Sequence, residues 1–156
     1  MRARASRPAS SPAASSTSER REWTIASDVN AITPLVAAVQ LLCEGAGFSA
    51  RHCRFNIPVA VTEALANAIV YGNTSDPSRL VRVGLVVDSQ QLVVEVTDEG
   101  DGFDAEGTRG APDAPDWLER EEGRGIFLMR SLMTDVVTEL AREPRGHTVR
   151  LTLHRT

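Results

Sequence analysis

Apolar residues recur in two rhythms along residues 23–154, and each change of rhythm marks an element. Between Asn30 and Ala46 they fall at Ile32, Leu35, Val36, Val39, Leu42, Cys43 and Ala46, which is one face of a 3.6-residue period. Pro34 suits that helix because it lies in the first turn, and Gly45 and Gly47 end it. A second helix is predicted from Asn56 as N-cap, with Pro58 in its first turn, to about Tyr71, where Gly72-Asn73 stops it. Its core face is Val61, Leu65, Ala68 and Ile69. Glu63 and Asn67 sit one turn apart on a different face, with Val70 and Tyr71 below them. Two polar groups therefore point together from an otherwise apolar helix.

Elsewhere the period is two. Trp23–Ala26 is a short strand, and Leu80–Val87 and Leu92–Thr97 are strands around the turn Asp88-Ser89-Gln90-Gln91. Leu92, Val94 and Val96 share a face, and the same alternation puts Asp98 on it at the strand's end. A carboxylate between sheet and helices needs a partner or a ligand. Residues 99–123 break the pattern with four Gly before Ala111, two Pro and many charges, and a segment that long is usually functional or mobile. Helical spacing returns from Gly125 to about Leu132, with Ile126, Met129, Leu132 and Met133 on one face. Asp135–Leu140 and Thr148–Leu153 form an antiparallel pair with a turn near Pro144-Arg145-Gly146. The order β-α-α-β-β-loop-α-β-β predicts an α/β (α+β) two-layer sandwich, a mixed, mainly antiparallel sheet with helices on one face.

Composition narrows the chemistry. The chain has 156 residues, 42% hydrophobic and 24% charged, which fits one globular domain over residues 22–156. Residues 1–21, rich in Ser, Ala, Pro and Arg, read as a disordered basic tail without the apolar centre of a secretory signal. That tail holds five Arg against one Glu, so the rest carries −8 of the net −4. An acidic body argues against direct nucleic-acid binding, and no window is apolar enough to span a membrane. Cys43 and Cys53 form no C-x-x-C and read as two structural thiols of a reduced, cytoplasmic protein. All seventeen basic residues are Arg, which excludes a phosphate loop ending in G-K-[ST] and any Schiff-base lysine. His52, His147 and His154 lie at no metal-ligand spacing and near no nucleophile elbow.

Three segments carry a resemblance. They are Glu63-Ala64-Leu65-Ala66-Asn67-Ala68-Ile69-Val70-Tyr71-Gly72-Asn73, then Asp98-Glu99-Gly100-Asp101-Gly102-Phe103, then Gly123-Arg124-Gly125-Ile126-Phe127-Leu128-Met129. In order and spacing, with the ending Gly146-His147-Thr148-Val149-Arg150-Leu151, they resemble the N, G1 and G2 boxes of the Bergerat-fold (GHKL) ATPases. The likeness is greatest to the single-domain serine kinases that act as bacterial anti-sigma factors, and it spans roughly residues 23–154.

The resemblance implies ATP and Mg²⁺. Asn67 would hold the metal through an amide oxygen that adds no repulsive charge. Glu63 would be the catalytic base for the attacking hydroxyl. Asp98, an acceptor-only carboxylate, would take the adenine amine, and Gly100 and Gly102 would let the backbone approach base and sugar. Gly123, Arg124 and Gly125 would open the third helix and hold phosphates at its N-terminus. Residues 104–122 match the ATP lid in place and length, with Trp117 as its anchor. Thr148 stands for the family's Gly-Thr ending near adenine, with His147 a departure. Tyr71 is another, where relatives carry His.

By this resemblance the chain would be a protein serine kinase that binds a sigma factor and phosphorylates a STAS-type anti-anti-sigma protein, with a homodimer as its expected assembly. A non-catalytic ATP-binding module that holds or releases a partner is the alternative. The catalytic half of a sensor histidine kinase would need a phospho-accepting His on an upstream helix, and residues before Trp23 offer neither.

Overall fold

In a computed structural model, residues 17–100, 121–142 and 145–155 are described. Five strands form one sheet: β1 Glu19–Ala26, β2 Leu80–Val87, β3 Gln91–Asp98, β4 Asp135–Arg142 and β5 Arg145–His154. Their spatial order is β1-β2-β3-β5-β4, and all four pairings are antiparallel. The expected two-layer α+β architecture holds. The expected mixture of strand directions does not, because every described neighbour runs opposite to the next. β1 also begins at Glu19, so Glu19–Arg21, read as tail, pair with Leu85–Val87. An edge strand with one solvated face tolerates such polar residues, and β2 offers it a full-length partner.

Alternation sets the core. Val81, Val83, Leu85 and Val87 of β2, Leu92, Val94 and Val96 of β3, and Val149, Leu151 and Leu153 of β5 are all buried. Register lines them into rows across the sheet, such as Val83–Val96–Val149 and Leu85–Val94–Leu151–Val136. Three helices cover this face. α1 is Ile32–Gly45, entered through a 3₁₀ turn at Val29–Ala31 whose cap Asp28 accepts the Asn30 N–H at 2.9 Å. α2 is Ile57–Ala66, extended by π turns at His52–Asn56 and Asn67–Gly72. α3 is Glu121–Leu132. α2 lies between α1 and α3 and buries Ile57, Val61, Leu65 and Ile69 completely. Each such side chain contributes about 1.5–3 kcal/mol through apolar burial.

Two helix starts differ from expectation. Asn56 is no N-cap: its backbone is helical, and its side-chain Nδ2 donates to the Leu132 carbonyl at the end of α3, 2.8 Å away. The helix begins about a turn and a half earlier because the wide turn lets Ile57 N–H reach back five residues to His52 O. α3 starts at Glu121, so Gly123-Arg124-Gly125 lies inside its first turns rather than opening it.

Candidate active site

Glu63 and Asn67 project from α2 and its C-terminal π turn toward α3. The point where they meet α3 is Gly125, which is buried. A Cβ there would stand 2.9 Å from Glu63 Oε2 and 3.2 Å from Asn67 Nδ2. Glycine is therefore what lets α3 approach the two polar side chains so closely. Asn67 Nδ2 is buried without a hydrogen-bond partner. An orphaned amide at a cleft wall costs free energy that a bound ligand can recover. Glu63, Asn67, Ala66, Val70, Tyr71, Arg124, Gly125 and Leu128 together line an open cleft between the two helices.

Behind Asn67 the cleft narrows into a recess that reaches the sheet. Its floor is the end of β3 and the start of β5, where Asp98 and His147 are register partners on the helix-facing side. Both are buried, at 3% and 5% exposure. Asp98 Oδ1 accepts the Gly100 N–H at 2.9 Å, closing the turn after β3. Oδ2 faces His147 Nδ1 at 3.8 Å, and His147 Nε2 is buried without a partner.

Three glycines let the chain close in around Asp98. A Cβ on Gly72 would collide with Asp98 Oδ2, and one on Gly100 would collide with the Gly72 carbonyl. A Cβ on Gly146 would lie 2.5 Å from Asp98 O. Asn73, fully buried, fixes the surrounding backbone. Its Nδ2 donates to Ser27 Oγ at 2.9 Å and to Leu80 O at 3.0 Å, while its Oδ1 accepts the Glu99 N–H at 2.7 Å. The end of α2 and the start of the post-β3 loop are thus tied together at the recess.

A model of the histidine kinase-like ATPase domain matches residues 25–153. The chain belongs to that family. Among similar proteins, the anti-sigma F factor of Geobacillus kaustophilus is 34% identical over 63% of this chain and 67% of its own length. The serine-protein kinase RsbW of Oceanobacillus iheyensis is 30% identical over 52% of this chain and 54% of its own. The serine-protein kinase RsbW of Staphylococcus aureus is 30% identical over 60% and 61%. The matched stretch thus spans between about half and two thirds of these relatives.

Set against the family's boxes, the fold brings Glu63, Asn67, Arg124 and Gly125 to one cleft and Asp98 to the recess behind it, with Gly100 donating its N–H to the Asp98 carboxylate. Gly123 lies in the first turn of α3, one of the four positions whose N–H groups find no partner within a helix. Gly125 lies beyond those four, so its contribution is the missing Cβ rather than a free donor. Thr148 does not join the site. It pairs with Thr97 on the opposite face of the sheet, with the two hydroxyl oxygens 2.8 Å apart. His147 takes the inward position instead. The phase of Val149, Leu151 and Leu153 already contained this result, since alternation puts 147 and not 148 on their side. Gly102, Trp117 and the rest of 104–120 lie outside the described residues.

Proposed function

We propose that this chain is an ATP-dependent protein serine kinase of the anti-sigma type, with the cleft and recess as its Mg-ATP site. The observation that carries the proposal is the meeting of Glu63 and Asn67 at Gly125, with the buried Asp98 carboxylate behind them. Adenine would bind at the recess, which must widen from the small volume seen here to admit a base; there Asp98 Oδ2 would accept its exocyclic amine and reject the carbonyl of guanine. His147, whose Nδ1 faces that carboxylate and whose Nε2 is unpartnered, would be an added contact to the base. Gly100 and Gly102 would keep the backbone close to base and sugar.

The phosphates would run out along the cleft to the first turn of α3, where the Gly123 N–H has no partner within the helix. Asn67 Oδ1 on the cleft wall would ligate Mg²⁺ while phosphates supply the remaining charge, and its unpartnered Nδ2 would donate to a phosphate oxygen. Bound there, Mg²⁺ would neutralise charge on the phosphates. Glu63 lies on the same wall one turn earlier and would accept the proton of the incoming serine hydroxyl. Exposed on the cleft rim, Arg124 would add a phosphate contact.

The relatives named anti-sigma F factor and serine-protein kinase supply the partner class: a sigma factor to hold and a STAS-type protein to phosphorylate. That role belongs to the cytoplasm, and no helix among the described residues is long and apolar enough to cross a membrane. The test is incubation with labelled ATP, Mg²⁺ and STAS proteins encoded nearby. Transfer of label to a STAS serine is the expected result. Tight Mg-ATP binding with no transfer to any of them would assign the chain to the non-catalytic binding modules. Absence of ATP binding would overturn the site itself.

A further inference from the structure

Cys43 of α1 and Cys53 of the π turn before α2 lie against each other in the core, with Sγ atoms 2.9 Å apart and exposures of 0% and 1%. Both are free thiols. We propose that Cys43 and Cys53 are a disulfide-forming pair, a modification site that joins α1 to the helix carrying Glu63 and Asn67. A disulfide needs sulfurs about 2.05 Å apart, so closure asks for a movement of about 0.9 Å. The π turn that carries Cys53 is the kind of irregular helical segment that can absorb it.

The reaction balances with a peroxide as oxidant. One sulfur, as thiolate, attacks a peroxide oxygen; an S–O bond forms, the O–O bond breaks, and the leaving hydroxide is protonated to water. The second sulfur then attacks the sulfenic sulfur and expels its hydroxyl as a second water. The two sulfurs together lose two electrons and the peroxide gains them. Burial and the neighbouring sulfur push the Cys43 thiol far above its ordinary value, so thiolate is scarce and the native protein reacts slowly. Cys53 Sγ also faces the Phe48 carbonyl, which accepts from it at 3.6 Å. Cys53 lies ten residues before Glu63, roughly 15 Å along the helix, so the bond acts as a staple on the fold and not as a switch on the site.

Refolding from denaturant in a glutathione–glutathione disulfide buffer removes the question of access. The expected product is monomeric, lighter than the dithiol by two hydrogens, with Cys43 and Cys53 in one linked peptide after digestion. Its melting temperature should rise by roughly 5–10 °C, as a short closed loop predicts, and fall back on reduction. Cys43→Ser should abolish both the mass change and the thermal shift. Two free thiols after refolding, or glutathione adducts that never resolve to the internal bond, would overturn the proposal.

Discussion

Asp98 divides its carboxylate between two tasks. One oxygen closes the turn onto Gly100 and the other faces the recess. Asp98→Asn preserves the size, so the turn survives, but it presents a donor where the base offers a donor too. Loss of a hydrogen bond to a charged group costs about 1.5–3 kcal/mol, or roughly ten- to a hundredfold and more in affinity. Calorimetry on the folded variant should show that loss for ATP; parent-like affinity would remove Asp98 from base recognition. Glu63 faces the cleft and should separate chemistry from binding. Glu63→Gln keeps the reach but cannot take a proton, so Mg-ATP affinity should stay within a few-fold while phosphoryl transfer falls by about 10²–10⁴-fold. Weakened Mg-ATP binding in this variant would instead make Glu63 part of the metal site.

At the level of elements, α2 is the piece on which the site is built, and both its ends are wide turns. Pro58 has no N–H to offer the carbonyl of Arg54, so regular α geometry would leave that group unserved just where the first π turn occurs. At the other end Asn73 N–H reaches back to Ala68 O and Ser75 N–H to Ile69 O, so the helix loosens before it stops. Asn56 links α2 to α3 through the Leu132 carbonyl, while its own Oδ1 stays buried and unpartnered. Asn56→Ala removes one bond and one orphan together, so the cost should be modest, about 0.5–1.5 kcal/mol. It is read as a lower urea midpoint at unchanged slope.

The strands, the core faces of all three helices and the inward turn of Asp98 were legible in the sequence, because alternation and helical spacing are written in side chains. Helix starts were not, since a wide turn leaves no residue signature and Asn56 resembles a cap while serving a neighbouring helix. Gly72 and Gly146 were legible as breaks in a pattern but not as clearance for the Asp98 side chain and backbone, which needs the third dimension. His147 was within reach of the same alternation that located Asp98.

At the scale of the whole molecule, the sheet alternates hairpin pairings with pairings between distant strands. β2 and β3 pair across a tight turn, with Val87 opposite Leu92. β3 and β5 pair across 51 residues, as Thr97 and Thr148 show. Closing so wide a loop costs chain entropy before any contact rewards it, so central pairing should come late in folding. The floor of the recess, Asp98 beside His147, exists only once that pairing is complete. A nucleotide that binds there therefore finds no site in the folding transition state. Mg-ATP should slow unfolding by about 100-fold at a concentration of 100 times its Kd and leave the folding rate unchanged. Stopped-flow measurements with and without Mg-ATP check this; an equal acceleration of folding would mean that the recess forms early. Where the expected result holds, nucleotide supply sets how long each molecule stays folded between unfolding events, and a chain deprived of it would be the more readily degraded.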